Sequence, residues 1–384
     1  MKNVRTILSY ILVAILSSMI TLSVFCGEPE EEYSKLDELG ELIEFYFIGE
    51  ADQAAMEDAA ATAMVDALGD QWSYYMTAKE YEAYLEQMRN AYVGIGITIS
   101  VAEDGSGLDV IKVNAGGPAD EAGMLAGDVI IAVEGQSVAG MDTATVRDMV
   151  RGQEGTQVLI GIRRGSETME LSITRKTVMT TVAEWKLLED NVGLVTIYNF
   201  DDRCSEETIA AIEYLRAQGA TSLIFDVRNN PGGYKHELVK ILDYLLPEGP
   251  LFRSEDYRGK VEVDKSDGSY LDMPMAVLVN GDSYSAAEFF AAALSEYDAA
   301  ILVGEKTCGK GYFQSSFTLE DGSALNLSIG KYTTPNGVSL ANVGLTPEIY
   351  VEVDEETAFL IYAGTLDPAE DPQIQAAIAA LKAE

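Results

Sequence analysis

Residues 275–303, MAVLVNGDSYSAAEFFAAALSEYDAAILV, contain two apolar runs separated by a segment with helical periodicity. The runs Met275–Val279 and Ala300–Val303 have the length and composition of buried strands. The segment Ser285–Tyr297 between them predicts an amphipathic helix. A strand, a helix and a second strand at this spacing predict parallel strands joined by a crossover helix.

The same alternation occurs upstream of this stretch. Val192–Ile197 predicts a strand and Ser205–Gln218 an amphipathic helix. Ser222–Val227 predicts a buried strand that ends at a glycine turn, and Lys235–Leu246 a further helix. Repeated strand–helix units favour a mainly parallel sheet covered by helices, which we assign to residues 179–384.

Two regions with different hydrophobic patterns precede this core. Residues 92–178 show short alternating strands such as Val129–Val133, and their number suits one small domain. Residues 28–91 have helical periodicity, with Thr77–Glu80 predicting a capping box at the start of one helix. No catalytic constellation is visible in residues 28–91, so we interpret them as scaffold helices that also suit a homodimer interface.

Composition restricts the functions that the chain can have. Its 384 residues include 26 Lys and Arg against 63 Asp and Glu, a formal net charge of −37. Such an acidic surface repels nucleic-acid phosphate, which excludes a DNA- or RNA-binding role. The single histidine excludes mechanisms that need two imidazoles, and the three cysteines have no C-x-x-C spacing that predicts a zinc site.

Residues 1–27 have the pattern of a membrane anchor. Lys2 and Arg5 precede an uncharged, mostly apolar stretch that is just long enough to span a bilayer. Acidic residues follow at 28–32, and basic residues favour the cytoplasmic side. We therefore expect a single-pass cell-membrane protein whose bulk is extracytoplasmic. A cleaved signal peptide, giving a secreted protein, is the alternative.

Polar and glycine-rich segments follow three of the predicted strands. They are DVRNNPGG (226–233), NGDSYSAAE (280–288) and GEKTCGKGYFQ (304–314). Ligands bind at the carboxyl ends of strands in open α/β sheets. Glycine N–H groups after a strand suit an oxyanion hole, and a serine at a strand-to-helix turn is exposed as in a nucleophile elbow. The three segments are therefore the predicted location of the site, although the G-x-S-x-G string of a nucleophile elbow is absent.

A serine nucleophile needs a base. His236, the only imidazole, lies at a helix start where a surface position is more common. A lysine can serve if burial keeps it neutral, and Lys310 between two glycines is better placed than Lys306. For Ser285 alone, a helix N-cap is the commoner role, and Ser283 is a rival nucleophile.

These segments resemble the carboxy-terminal processing peptidases, or tail-specific proteases. That resemblance implies a multidomain α+β fold with an N-terminal helical region, a PDZ domain and a crotonase-like (ClpP/crotonase) α/β peptidase core. Ser285 falls on the family's nucleophile, Lys310 on its general base and Gln314 on a glutamine that orients the lysine. No metal or organic cofactor is implied.

The resemblance extends to supporting residues. The oxyanion amides fall on Ala286 and on the glycine pair Gly232 and Gly233, without indicating which glycine donates. Glu288 matches an acidic residue that follows the nucleophile and is interpreted as a support.

Residues 92–178 resemble a PDZ domain. Val93, Gly94, Ile95 and Gly96 match its carboxylate-binding loop, and a downstream G-P-A signature at 117–119 agrees. Such loops capture the terminal carboxylate of a peptide that adds as a strand. The predicted partners are therefore proteins or peptides with free C-termini, and the predicted activity is endopeptidase cleavage. A catalytically silent PDZ scaffold that only binds peptide tails is the alternative function.

Overall fold

The structure is a computed structural model that describes residues 34–383. The predicted anchor at residues 1–27 lies outside this range. Across residues 34–383, no helix combines the length and apolar character needed to cross a bilayer. The chain divides between Ala63 and Met64 into two compact units.

The first described elements are helices α1 (Lys35–Tyr46) and α2 (Gln53–Asp66). Strand β1 (Tyr74–Met76) and helix α3 (Ala78–Met88) follow within the second unit. The capping box predicted for α3 is confirmed, because Thr77 accepts from the Glu80 N–H and the Glu80 side chain accepts from the Thr77 N–H.

Residues 91–179 form two antiparallel sheets. The elements in chain order are β2 (Ala91–Gly94), β3 (Ile97–Val101), β4 (Leu108–Val113), α4 (Pro118–Glu121), β5 (Val129–Val133), β6 (Gln136–Ser137), α5 (Thr143–Val150), β7 (Gln157–Arg164), β8 (Glu167–Thr174) and β9 (Lys176–Met179). A six-stranded sheet runs β3-β4-β5-β7-β8 with β6 on β5, and encloses its own core of fully buried side chains such as Leu108 and Ile160. Strand β2 pairs with β9, so the chain enters and leaves this region side by side.

The remaining elements build the C-terminal region. They are β10 (Ala183–Leu187), β11 (Val192–Ile197), α6 (Cys204–Ala217), β12 (Ser222–Asp226), α7 (Lys235–Leu245), β13 (Gly249–Asp256), β14 (Val261–Ser266), β15 (Met275–Val279), α8 (Ala286–Glu296), β16 (Ala300–Gly304), β17 (Tyr312–Thr318), β18 (Ala324–Thr333), β19 (Ile349–Tyr350), α9 (Glu355–Tyr362) and α10 (Pro372–Leu381). Strands and helices predicted for this region therefore occur within one or two residues of their expected bounds.

A six-stranded sheet of order β10-β11-β12-β15-β16-β19 forms the centre of this region. Strand β10 is antiparallel to β11, and every other pair is parallel, which confirms the mainly parallel sheet. Alternate side chains point to opposite faces. Val277 and Phe225 pack with helices α6 to α8, whereas Ala276 and Ile224 pack with α10. The carboxyl ends of β12, β15 and β16 consequently lie side by side.

A second, antiparallel sheet of five strands was not predicted. Its order is β1-β18-β13-β14, with β17 also paired to β18. Strand β17 begins two residues after Lys310, and its first residue pairs with Lys331 near the end of β18. Strand β1 pairs with the beginning of β18, at residues 324–326. This sheet therefore connects residues 74–76, which precede the PDZ-like region, to the lysine segment.

Candidate active site

Ser285 lies in the tight turn between β15 and helix α8. Its backbone has φ 58° and ψ −125°, a conformation that non-glycine residues rarely adopt. The side chain is buried, with 9% of the residue exposed. The strand-to-helix turn predicted for a nucleophile elbow is present, whereas the exposure predicted for its serine is wrong, because the residue is buried. The rival Ser283 is fully buried and donates its hydroxyl proton to the Val227 carbonyl at 2.7 Å, so it stabilises the turn.

The Ser285 hydroxyl forms a hydrogen bond with the hydroxyl of Tyr332, 2.7 Å away. Tyr332 packs edge-on against Phe289 at a centroid distance of 4.5 Å and also contacts Phe252 and Phe313. Burial raises the pKa of Tyr332 above its ordinary value, so this hydroxyl stays protonated. Sequence reasoning missed Tyr332, because a tyrosine in a strand carries no signal that separates it from a core residue.

Glu288, on the first turn of α8, connects the serine turn to the lysine segment. One carboxylate oxygen accepts from the Ser285 N–H at 3.1 Å and the Lys310 N–H at 2.8 Å. The other accepts from the Thr307 hydroxyl at 2.5 Å and the Gly309 N–H at 2.7 Å. The side chain is fully buried, and burial raises its pKa although the four hydrogen bonds favour the carboxylate. Glu288 thus fixes both segments relative to each other.

Lys310 places its amine among aromatic rings. Nζ lies 4.6 Å from the ring centroid of Trp72 and 5.8 Å from that of Tyr284. Burial lowers the pKa of Lys310, against the opposing influence of Cys308, Asp70 and Glu288. Over the described part of the chain, Lys310 Nζ forms no hydrogen bond with Ser285 Oγ, whose partner is Tyr332.

The other lysine, imidazole and thiols of this region have different surroundings. Lys306 is exposed. The His236 side chain is 57% exposed, and its Nε2 lies 3.3 Å from Glu237 Oε1, whereas the Ser285 hydroxyl is hydrogen-bonded to Tyr332. Cys204 is buried, Cys308 is exposed, and both are free thiols.

Within residues 34–383, the hydrogen bonds of the Gln314 side chain go to residues other than Lys310. Its amide nitrogen donates to Ser328 Oγ at 3.0 Å and to the Tyr312 carbonyl at 3.2 Å. The strand pairing of β17 shifts register between Phe313 and Gln314. The orienting role of Gln314 stays a prediction.

The glycine turn after β12 lies against the serine. A Cβ on Gly232 would lie 2.7 Å from Ser285 Cβ and 2.9 Å from the Ala286 nitrogen, and its φ is +91°. The Gly232 N–H donates to Asn230 Oδ1 at 2.8 Å. By contrast, no residue within 34–383 accepts a hydrogen bond from the N–H of Ala286 or of Gly233. Among the described residues, neither amide is therefore committed to another acceptor.

The predicted peptide-binding residues lie at the end of β2 and in the turn that connects it to β3. Val93 and Gly94 are paired with Thr177 and Lys176 of β9. The Ile95 carbonyl accepts from the Ala119 N–H at 2.9 Å, and the Gly96 carbonyl accepts from the Asn114 N–H at 3.0 Å. Gly96 has φ +76°, the left-handed backbone that glycine tolerates. The loop is thus held through its carbonyl groups.

Comparisons with known proteins agree with this architecture. The sequence matches the family model of peptidase family S41 over residues 191–351 and that of the PDZ domain over residues 110–164. It is 29% identical over 367 residues to the carboxy-terminal processing protease CtpA of Bacillus subtilis, covering 92% of this chain and 78% of the relative. It is 30% identical over 361 residues to a probable CtpA-like serine protease of Staphylococcus haemolyticus, covering 90% and 72%.

A solved structure shares the fold. The crystal structure of a putative S41 protease from Bacteroides fragilis aligns with a TM-score of 0.54 and 16% sequence identity, covering 92% of this chain and 98% of that one. Fold and comparisons together define a serine peptidase that carries a PDZ domain. The chain belongs to peptidase family S41, and its function is that of a carboxy-terminal processing protease. The predicted family resemblance and fold class are confirmed.

Proposed function

We propose that Ser285 and Lys310 form the catalytic dyad of this protease. The observation that carries the proposal is the buried carboxylate of Glu288, which accepts hydrogen bonds from the backbone N–H groups of both residues. A group that fixes a strained serine next to a desolvated lysine is expected where the two must react together. Glu288 itself is a support and does not touch the substrate.

In the proposed reaction, the Ser285 oxygen attacks the scissile carbonyl carbon while the neutral amine of Lys310 takes the hydroxyl proton. The N–H groups of Ala286 and Gly233 receive the oxyanion; Gly233 is favoured over Gly232, whose N–H is already donated to Asn230. Lys310 then protonates the leaving amine as the C–N bond breaks. Water, deprotonated by Lys310, hydrolyses the acyl-enzyme and restores the serine.

The reaction requires a rearrangement from the resting geometry. The Ser285 hydroxyl must leave Tyr332 and turn towards Lys310, and the amine must move from the Trp72 ring towards it. Gln314 is proposed to orient the lysine once its amide leaves Ser328. Substrate binding is the event that we expect to favour this arrangement.

Cleavage by matched variants tests the dyad. The full chain is incubated with unfolded proteins that differ only in their last residues, and the products are identified by mass spectrometry. Ser285→Ala and Lys310→Ala should each abolish cleavage, whereas Lys306→Ala, an exposed lysine of the same segment, should cleave like the wild type. Substantial activity in folded Lys310→Ala protein would exclude the lysine as the base.

The pH dependence provides a second test. Because a neutral lysine is the base, kcat/KM should rise with pH as Lys310 loses its proton. The midpoint should lie below the usual lysine value, since burial lowers the pKa of Lys310. A rate that is already maximal where the lysine is fully protonated would contradict the mechanism.

We further propose that Val93, Gly94, Ile95 and Gly96 bind the terminal carboxylate of the substrate. A substrate whose C-terminus is amidated should then show a raised KM with kcat little changed, measured against the same peptide with a free carboxylate. Equal kinetics for the two peptides would remove this loop from substrate recognition.

For the cellular arrangement, we propose that residues 1–27 are a membrane anchor or a cleaved signal that delivers the enzyme outside the cytoplasmic membrane. The proposed domains are a helical region at 28–91, which also suits a homodimer interface, a PDZ domain at 92–178 and a peptidase core at 179–384. The test is to add a protease to intact cells from which the cell wall has been removed. Digestion of the chain would support this location, and full protection of the chain from the added protease would contradict it.

A further inference from the structure

Trp72 contacts the lysine although it lies in the region interpreted from sequence as scaffold. Its ring centroid is 4.6 Å from Lys310 Nζ. Tyr284, the residue before the nucleophile, lies on another side at 5.8 Å, and the two rings are tilted by 35° with centroids 6.0 Å apart. The amine therefore lies near two aromatic faces that come from distant parts of the chain.

The backbone that carries Trp72 is held by several hydrogen bonds. Asp70 accepts from the Trp72 N–H at 3.2 Å and from the Ser73 hydroxyl at 2.6 Å. Ser73 Oγ in turn accepts from the Ser328 N–H of β18 at 3.0 Å. Directly after it, β1 pairs with β18. Trp72 is thus attached to the strand that also supplies Tyr332, which fixes the ring relative to the site.

We propose that Trp72 is a positioning residue for Lys310 in the resting enzyme. The indole ring of Trp72 supports the amine and keeps water away from it until the amine turns towards Ser285. The inference rests on the proposed role of Lys310 as the base. An indole ring binds an ammonium on its face and also presents a large apolar surface. One ring can therefore hold the side chain in both protonation states, while its bulk limits hydration of the charged one.

The neighbours of the amine set the expected direction of its pKa. Asp70 of the N-terminal segment, Glu288 of α8 and Cys308 of the lysine segment all favour the charged form, and Tyr284 faces it from the serine turn. Burial is the opposing and larger influence. In Trp72→Ala, water replaces the ring and hydrates the ammonium better than an aromatic face does, so the pKa of Lys310 should rise.

The test measures the protonation of Lys310 directly. Acetic anhydride reacts only with the neutral amine, so labelling of the Lys310 peptide across a pH series, read by mass spectrometry, gives its pKa without any need for catalysis. Trp72→Ala should raise this pKa by about one unit, a tenfold loss of neutral amine near neutral pH. Trp72→Phe, which keeps an aromatic face, should stay close to the wild type.

The chain offers a matched control in its second tryptophan. Trp185 packs against Tyr214 at 5.7 Å and is 47% exposed. Trp185→Ala should leave the Lys310 labelling curve unchanged. Trp72→Gln, which keeps more side-chain volume but admits polar contacts, should shift it like the alanine variant and replaces that variant if alanine prevents folding. In the Trp72→Ala and Trp72→Gln variants, the rise of kcat/KM with pH should shift to higher pH in parallel. Their cleavage rate should recover under alkaline conditions.

The outcomes separate this inference from the proposed function. An unchanged labelling pKa in folded Trp72→Ala or Trp72→Gln protein, or an equal shift in Trp185→Ala, overturns the role of Trp72. That result leaves the dyad intact if Lys310→Ala is inactive. If Lys310→Ala still cleaves, the dyad is wrong, and a shifted labelling curve still supports Trp72 as the residue that holds this amine.

Discussion

Adding one methyl group at Gly232 tests how closely the glycine turn and Ser285 are packed. The new Cβ would lie 2.7 Å from Ser285 Cβ, whereas ordinary contact begins near 3.4 Å, so something must move by about 0.7 Å. It would also lie 2.9 Å from the Ala286 nitrogen and the Tyr284 carbonyl oxygen. These are backbone atoms of the serine turn, which have no flexible end that could yield.

Two costs add in Gly232→Ala. A positive φ costs a residue with a Cβ roughly 1–2 kcal/mol, and overpacking in a well-packed region costs roughly 1–3 kcal/mol more. Gly219→Ala isolates the first cost, because Gly219 has φ +94° but no atom within 4 Å of the added Cβ. We therefore expect a loss in unfolding free energy of roughly 2–5 kcal/mol for Gly232→Ala and about 1–2 kcal/mol for Gly219→Ala.

The activity should separate the two variants further. A displacement approaching 1 Å at the reacting atoms can cost on the order of 100-fold in rate. Gly232→Ala should lose kcat by about that factor, while Gly219→Ala should keep the wild-type kcat. Urea unfolding gives the stabilities and cleavage of an unfolded protein substrate gives kcat. Equal kcat values in the two folded variants would refute the inferred contact between the glycine turn and Ser285.

Three further changes test the site and its surroundings. Glu288→Gln replaces one of the two carboxylate oxygens with an NH2 group, which would face the N–H and O–H donors that now bind the carboxylate. We expect urea unfolding to show a loss of stability of roughly 2 kcal/mol or more, together with a loss of cleavage. Unchanged activity would contradict the role of Glu288 in joining the serine turn to the lysine segment. Tyr332→Phe removes the hydroxyl that is hydrogen-bonded to Ser285. We expect the free energy of unfolding to fall by about 1 kcal/mol while kcat is maintained or increased. A large loss of kcat would instead indicate that the Tyr332 hydroxyl takes part in the reaction. Burial raises the pKa of Asp201 to about 7, helped by the charge of Asp202. Its folded state binds a proton more tightly than its unfolded state, so its contribution to stability falls as pH rises from about 4 to 7, by roughly 4 kcal/mol in total. Asp201→Asn should therefore gain stability relative to the wild type at pH values above 7 and gain least under acidic conditions; a pH-independent difference in urea midpoint would show that the carboxyl does not titrate there.

Local patterns allowed most of the peptidase core to be predicted. Apolar runs and glycine turns identified the parallel strands, and the segments at their carboxyl ends contain Ser285, Gly232 and Lys310. This worked because a strand, its turn and the following helix are encoded within about 30 residues, so the information is contiguous in the sequence.

Features that depend on distant parts of the chain were not predicted. The antiparallel sheet pairs Tyr74 with Asn326, and no local pattern specifies a partner so far along the chain. The positions of Trp72 and Tyr332 at the site follow from that sheet. An aromatic residue in a strand or before a helix is commonly a core residue, so its type alone gives no functional signal.

The pairing of β2 with β9 has a consequence for the modular design of the enzyme. Ala91 lies opposite Met179, and the Thr180 N–H donates to the Asn90 carbonyl at 2.8 Å, so the two ends of the PDZ-like region are hydrogen-bonded to each other. The residues proposed to form the catalytic site lie outside residues 91–179. Replacing residues 91–179 with a different peptide-binding domain should therefore direct the protease to new substrates while the proposed catalytic residues stay in place.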